Sequence, residues 1–145
     1  MMLTTENQGT EIIMPDDFVV ADEVSEGAMA ADIEIESIGG NMHMLDIGSN
    51  SLENFIEILE EAKTIIWNGP VGLYEKKPFD RGTKEIAKAL TKVDAKTYIG
   101  GGDTLDALKR FDINQNKFTH VSTGGGAMLE FLEGKELPGI KVLKK

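Results

Sequence analysis

Residues Thr97–Asp103, which read TYIGGGD, join a short apolar run directly to three glycines and an aspartate. The pattern returns over Phe118–Gly126, which reads FTHVSTGGG, and an earlier apolar run, Thr64–Trp67, stops at an Asn-Gly-Pro turn. A segment with the apolar spacing of a helix follows each run. Three successive strand–loop–helix units predict an α/β fold with a Rossmann-like parallel sheet between covering helices, in three αβα layers. Right-handed crossovers would place all three loops at the carboxyl edge of that sheet.

The first third of the chain has a different pattern. Glu11–Met14 and Phe18–Ala21 are candidate strands, and Asp32–Glu36 alternates polar and apolar residues as a half-buried strand does. These runs predict a small antiparallel strand element near the N-terminus. The oxygens of Ser49–Ser51 are then expected to cap a helix whose apolar stripe begins at Leu52.

Three expectations concern burial in the parallel sheet. The uninterrupted apolar run Thr64–Trp67 is typical of a strand covered on both faces. Trp67, at the end of that run, is expected in the core. His120 lies within an apolar strand and is expected to be a buried histidine with satisfied hydrogen bonds rather than a base.

Composition excludes several classes of protein. The 145 residues include 15 Lys+Arg against 25 Asp+Glu, a formal charge of −10, which argues against a basic nucleic-acid-binding module. Residues 1–62 carry no Lys or Arg; they form either a solvated acidic face or a surface that rests against basic partners. There is no cysteine for a disulfide or a thiolate ligand, and no apolar run is long enough to span a membrane. A cytoplasmic protein without a membrane anchor is expected.

The two glycine triplets indicate an anion site. Glycine turns let a ligand approach the backbone, and the free N–H groups at a helix start can bind phosphate. Asp103, which follows the first triplet, is either a magnesium ligand or a plain N-cap. The turns lack the Gly-Lys-[Ser/Thr] of a Walker P-loop and the spacing of a dinucleotide-binding turn.

Several loop motifs together resemble the phosphoglycerate kinase family. They are Trp67–Glu75 (WNGPVGLYE), Gly100–Thr104 (GGGDT), Val121–Glu130 (VSTGGGAMLE) and Glu133–Gly139 (EGKELPG), with Val19–Asp22 (VVAD) and Leu45–Gly48 (LDIG) upstream. Their order and spacing agree with about the last third of that family's sequence. The resemblance therefore implies that residues 1–145 are part of a carboxyl-terminal nucleotide-binding domain, incomplete relative to the family's full domain. The family's amino-terminal, phosphoglycerate-binding domain has no counterpart here.

The resemblance also implies a reaction and a set of site residues. The family transfers a phosphoryl group between 1,3-bisphosphoglycerate and ADP, with Mg²⁺, to give 3-phosphoglycerate and ATP in glycolysis. Asp103 would engage the magnesium–nucleotide complex, Glu75 the ribose, and Met44 would stand where the family has a small residue beside the base. The other residues implied in nucleotide binding are Asn68, Gly100, Gly101, Gly102 and Thr104. The amides implied to face the phosphoryl group in transit are those of Gly101, Gly102, Gly124, Gly125 and Gly126.

Three functional hypotheses follow from the sequence. The chain is the carboxyl-terminal part of a phosphoglycerate kinase, binding 3-phosphoglycerate only through the missing domain. Alternatively, it binds nucleotide but has no catalytic activity of its own. A third possibility is a structurally incomplete fragment that self-associates, because a parallel sheet cut part-way leaves an unpaired edge and an uncovered apolar face. Neither nucleic acid nor a membrane is expected as a partner.

Overall fold

Two three-stranded sheets organise the computed structural model, which describes residues 9–143. The first is antiparallel, in the order β2–β1–β3, with β1 at Asp17–Ala21, β2 at Ala31–Glu34 and β3 at His43–Ile47. A 3-10 turn, Ile35–Ser37, ends β2. The predicted antiparallel element is thus confirmed. The apolar run Glu11–Met14, in contrast, joins no sheet within the described residues.

The second sheet is parallel, in the order β4–β5–β6. It consists of β4 at Thr64–Asn68, β5 at Lys96–Gly100 and β6 at His120–Ser122. The strands end in register, with Asn68 beside Gly100 and Gly100 beside Ser122. The predicted parallel sheet with helices is confirmed. The helices are α1 (Ser49–Glu61), α2 (Arg81–Leu90), α3 (Gly102–Arg110), α4 (Gly125–Leu132) and α5 (Pro138–Lys141). Within residues 9–143, none of them is long and apolar enough to cross a membrane.

One face of the parallel sheet holds the main core. Ile65, Trp67 and Ile99 point to this face and pack against apolar side chains of α1, α2 and α3, among them Leu52 and Leu108. Burial of such side chains contributes roughly 1.5–3 kcal/mol each. Trp67 is buried, as predicted.

The opposite face is only partly covered. Along β4 the side chains alternate between buried and exposed, and Ile66, on the second face, is 46% exposed. The prediction that Thr64–Trp67 is covered on both faces is therefore wrong: α4 and α5 flank this face and leave a groove over Ile66. His120 lines the same groove and is exposed, so the expectation of a buried histidine is also wrong.

The helices α1 and α2 begin against two buried aspartates of the antiparallel sheet. Asp17 on β1 accepts the N–H groups of Asn50 and Ser51 at 2.9 and 2.8 Å. Asp46 on β3 accepts the N–H of Gly82, in the first turn of α2, at 2.8 Å. A carboxylate at a helix start neutralises unpaired amides and the positive end of the helix dipole. The two sheets are joined through these contacts.

The predicted cap of α1 by Ser49–Ser51 is consequently wrong. Gly48 precedes the helix, and Asp17 binds the amides that a capping serine would have bound. The Ser51 hydroxyl instead accepts the N–H groups of Asp16 and Asp17 at 3.0 and 3.2 Å, and the Ser49 hydroxyl donates to Asp32. These serines hold the antiparallel sheet against α1.

Candidate phosphate-binding site

The two glycine turns lie against each other at the carboxyl edge of the parallel sheet. A Cβ atom placed on Gly125 would be 2.7 Å from the Cα and 2.8 Å from the N of Gly101. Real Cβ atoms essentially never approach other atoms this closely, so only glycine fits. The first turn leads into α3 and the second into α4. The starts of these two helices are therefore neighbours, as the topology predicted.

A third loop, after β4, completes the arrangement. The Asn68 side-chain oxygen lies between the turns, 3.0 and 2.5 Å from Cβ positions built on Gly101 and Gly125. Next to it, the Gly69 N–H donates to Thr104 Oγ1 at 2.9 Å. Gly101 has φ +99°, in the range that favours glycine. The structure thus brings together the predicted residues Asn68, Gly100–Thr104 and Gly124–Gly126.

The N–H groups of this site fall into two sets. Gly101 N–H donates to the Ser122 carbonyl at 3.3 Å, and Gly124 N–H donates to the Ser122 hydroxyl at 3.2 Å. These two predicted donors are therefore already engaged by β6. The first hydrogen bonds inside the helices start at Leu105 and Met128, so the preceding amides of each helix have no partner in their own helix. Those preceding amides are Gly102, Asp103 and Thr104 in α3, and Gly125, Gly126 and Ala127 in α4.

Asp103 and Thr104 differ in what their side chains can do. Asp103 is exposed in the first turn of α3, and the N-cap position belongs to Gly101, so the plain N-cap alternative does not describe Asp103. Thr104 is completely buried, with its hydroxyl bound to the Gly69 N–H. The Thr104 side chain therefore holds the loop after β4 and cannot itself contact a ligand from solvent.

The remaining predicted residues lie on flanking segments. Glu75 is exposed and follows Tyr74, whose buried hydroxyl donates to Asp106 of α3 at 3.2 Å. Burial, together with the charges of Glu75 and Asp106, raises the pKa of Tyr74 to about 12, which keeps it a hydrogen-bond donor. Met44, 57% exposed on β3, lines an apolar pocket of about 380 Å³ with Leu45, Leu73 and other residues.

The donor set fits a magnesium ion that is held partly by the protein and partly by phosphate oxygens and water, rather than by protein ligands alone. Within residues 9–143, no cluster of three or more His, Asp or Glu side chains could hold a metal ion. Asp103 offers one exposed carboxylate beside free backbone amides. Mg²⁺ is commonly held by one or two carboxylates, phosphate oxygens and water. The residues present fit that mode of binding.

Sequence reasoning gave Asp46 no role, although it is one of the most unusual groups near these loops. It is 3% exposed and accepts the N–H groups of Ile47 and Gly82. Burial raises the pKa of Asp46 to about 6, although these hydrogen bonds oppose the shift. Its carboxylate fills the space beside Gly72 and Gly82 where a Cβ would otherwise sit. The sequence feature that could have indicated such a role is a charged residue, Asp46, within the apolar run of β3.

Known proteins match this chain over nearly its whole length. The family described as phosphoglycerate kinase matches residues 1–135. Curated phosphoglycerate kinases of Pseudarthrobacter chlorophenolicus and Finegoldia magna are 46% and 47% identical, over 94% and 93% of this chain. The phosphoglycerate kinase structure from Coxiella burnetii is 41% identical, with a TM-score of 0.89 over 98% of this chain and 36% of its own. The one from Pyrococcus horikoshii is 35% identical, with a TM-score of 0.76 over 90% of this chain and 32% of its own.

The chain spans about a third of the length of these relatives, 35% of the Pseudarthrobacter protein and 34% of the Finegoldia protein. The glycine turns and the loop after β4 lie inside the matched region. By its sequence and by its fold, the chain belongs to the phosphoglycerate kinase family.

Proposed function

We propose that this chain is the nucleotide-binding part of a phosphoglycerate kinase. The complete reaction transfers a phosphoryl group between 1,3-bisphosphoglycerate and ADP, with Mg²⁺, giving 3-phosphoglycerate and ATP in cytoplasmic glycolysis. The observation that carries the proposal is the contact between Gly101 and Gly125, which places the starts of α3 and α4 side by side.

In this proposal the backbone binds the nucleotide's terminal phosphates. The amides of Gly102, Gly125 and Gly126 have no partner in their own helices, and a Cβ on Gly102 or Gly126 would meet nothing within 4 Å. The positive ends of two helix dipoles lie there. The amides of Gly101 and Gly124 act indirectly, by fixing the turns to Ser122. Preorganised donors are well suited to phosphoryl transfer, in which the protein mainly positions groups and stabilises charge.

Side chains supply the rest of the nucleotide contacts. Asp103 would hold Mg²⁺ together with phosphate oxygens, and the ion, when bound, neutralises charge on the phosphates. Asn68 would contact the phosphates from between the turns. Glu75 would accept hydrogen bonds from the ribose, and Met44 would provide part of the apolar wall for the base.

Catalysis by the isolated chain is not expected. Neither glycine turn nor the first turn of the following helix contains a Lys or Arg. A cationic side chain on the transferring phosphoryl group is worth roughly 10³–10⁵ in rate in comparable enzymes. We therefore propose that these cations, and the 3-phosphoglycerate site, come from the part of the enzyme that this chain does not span. The chain alone would bind magnesium–nucleotide and remain inactive.

Isothermal titration of the chain with ADP in the presence of MgCl₂ tests the binding role. Asp103→Asn removes the carboxylate proposed to hold Mg²⁺ and should therefore weaken binding of magnesium–ADP about tenfold, or ~1.4 kcal/mol. Asp94→Asn is the matched control, because Asp94 is exposed in the loop between α2 and β5 and outside the site. Equal affinity of the two variants would remove the role of Asp103.

A coupled kinase assay tests whether catalysis requires the part of the enzyme that this chain does not span. We expect activity only when the first two-thirds of a relative, for example the Pseudarthrobacter protein, is added as a separate polypeptide. Turnover by the 145-residue chain alone would contradict the proposal.

A further inference from the structure

The loop that carries Glu75 is attached to the side of α3. The Tyr74 hydroxyl donates to Asp106 Oδ2 at 3.2 Å. One residue further along the loop, Arg110 Nη1 donates to the Glu75 carbonyl at 3.4 Å, near the upper limit for a hydrogen bond. Asp106 and Arg110 are four residues apart in α3 and therefore lie on the same face of that helix. The segment proposed to bind the ribose is thus joined to the helix whose first turn is proposed to bind the phosphates.

The same loop is also anchored to the antiparallel sheet. The Leu73 N–H donates to the Leu45 carbonyl of β3 at 2.7 Å. Phe79 is completely buried and belongs to the same apolar cluster as these two leucines. Backbone and apolar contacts therefore hold the loop on this side, and a phenylalanine in place of Tyr74 would fill the same space. What the Tyr74 hydroxyl adds is a direct link to α3, because a buried hydroxyl is costly unless it has a partner.

Three carboxylates influence the Tyr74 hydroxyl. Burial is the largest cause that raises the pKa of Tyr74 to about 12, and the charges of Glu75, Asp106 and Asp103 act in the same direction. The hydroxyl therefore keeps its proton and donates it to Asp106. Glu75 and Asp103, the side chains proposed for the ribose and for Mg²⁺, thus lie on either side of one buried hydrogen bond between the loop and the helix.

We propose that Tyr74 and Asp106 are positioning residues for ribose recognition, whose hydrogen bond holds the Glu75 carboxylate at a fixed place relative to the first turn of α3. The inference rests on the proposed function, in particular on Glu75 as the acceptor of the ribose hydroxyls. A nucleotide spans both places at once, so Glu75 reaches the ribose of a nucleotide whose phosphates are bound at α3 only when loop and helix keep their relative position. Without the hydrogen bond the phosphates still bind, and the contact to the ribose is weakened.

Titration of the full chain with ADP and with 2′,3′-dideoxy-ADP, both in excess MgCl₂, tests this inference. Dideoxy-ADP lacks both ribose hydroxyls, so the ratio of the two affinities reports the ribose contact and cancels effects on phosphate and metal binding. Wild type should bind ADP about tenfold more tightly, as expected for a hydrogen bond to a charged group. Tyr74→Phe and Asp106→Ala should each lower this preference to roughly twofold, by weakening the binding of ADP but not of dideoxy-ADP.

Three further variants separate positioning from other effects. Asp106→Asn retains an oxygen that can accept from Tyr74, so it should keep the wild-type preference although one charge is lost. Tyr98→Phe is the matched control and should also keep it, because it removes the hydroxyl of the chain's other tyrosine, which faces the groove over Ile66. Glu75→Ala should abolish the preference, and adding Tyr74→Phe to it should change the ratio no further.

The outcomes distinguish this inference from the proposed function. Equal losses for the two nucleotides in Tyr74→Phe and Asp106→Ala would show that the hydrogen bond only stabilises the fold or the phosphate site, and would overturn the inference. An unchanged preference in both variants would overturn it as well. Failure of the proposed function appears in the wild type itself, as absence of ADP binding or as equal affinity for the two nucleotides, and would remove both.

Discussion

Gly125→Ala tests the contact on which the proposed site depends. A Cβ at this position would be 2.5 Å from Asn68 Oδ1 and 2.7 Å from the Gly101 Cα. Ordinary van der Waals contacts begin near 3.4 Å. The Asn68 side chain can rotate away, but Gly101 meets the Cβ with backbone atoms. The two turns would therefore have to separate by something close to 0.7 Å, roughly the difference between these distances.

The magnitude follows from two opposing effects. Overpacking that moves backbone costs about 1–3 kcal/mol. In the other direction, Gly125 begins α4, where alanine is favoured over glycine by at most ~1 kcal/mol. The net loss in the free energy of unfolding should therefore be about 1–2 kcal/mol. For a chain of this size, that corresponds to a fall in Tm of roughly 3–6 °C.

Thermal unfolding followed by circular dichroism measures this loss, and titration with magnesium–ADP measures its functional consequence. We expect the affinity of Gly125→Ala to fall at least fivefold, because the amides of the two turns no longer converge. Gly139→Ala is the control: nothing lies within 4 Å of a Cβ there, and the residue is in the short helix α5. If Gly125→Ala matched Gly139→Ala in both Tm and affinity, the turns would not form a common site.

Two further predictions concern the buried aspartates. Because the pKa of Asp46 is raised to about 6 from 3.8, the folded chain binds more protons than the unfolded chain in that interval. Its contribution to stability therefore falls as pH rises from about 4 to 6, by up to ~3 kcal/mol. The stability of wild type relative to Asp46→Asn, measured by urea unfolding at both pH values, should decrease accordingly; a constant difference would contradict the shift. Burial tends to raise the pKa of Asp17, but hydrogen bonds from Ser51 and Asn50 outweigh burial and lower that pKa. The ionised Asp17 therefore stabilises the fold at pH values above its pKa in the unfolded chain, and this stabilisation is lost as the pH falls through its pKa in the folded chain. Asp17→Ala should cost about 2–4 kcal/mol at pH 7 and less at pH 3, and an unaltered urea midpoint at pH 7 would refute its capping of α1.

The parallel sheet could be predicted from sequence because its signals are local. Each strand is an apolar run of a few residues, and each loop is marked by glycines directly after the run. The helix caps could not be predicted in the same way. Asp17 is 33 residues away from Asn50, whose N–H it accepts, and nothing in the intervening sequence specifies that distance in space. The serines beside α1 were the better local candidates, and tertiary contacts overrode them.

That only one face of β4 is buried could not be predicted, for a related reason. An uninterrupted apolar run indicates that both faces of a strand are apolar, but not that this chain supplies the cover for both. The face with Ile65 and Trp67 is covered by α1, α2 and α3, whereas Ile66 lies on the face that is left open. An apolar run therefore predicts a strand, but the sequence of the run alone does not tell whether one or both of its faces are covered within the described residues.

The candidate site was predictable in its location but not in its donors. Strand order and crossover handedness place both glycine turns at one edge, and the contact of Gly101 with Gly125 agrees. Two of the predicted donors, the N–H groups of Gly101 and Gly124, are engaged by Ser122. Ser122 lies within a loop motif, but the sequence gives it no role of its own. Nor does the sequence show that the Thr104 hydroxyl is buried and accepts the Gly69 N–H, which leaves only the backbone of Thr104 for a ligand.

The proposed anion site is physically compatible with the chain's formal charge of −10. The negative charge is concentrated in residues 1–62, which carry −15, whereas residues 63–145 carry +5 and include both glycine turns. Screening at physiological ionic strength limits exposed charges to a range of about 8 Å. Backbone amides act at hydrogen-bond distance and are hardly affected by that screening. The affinity of such a site therefore depends on how precisely α3 and α4 are held together, more than on the net charge of the chain.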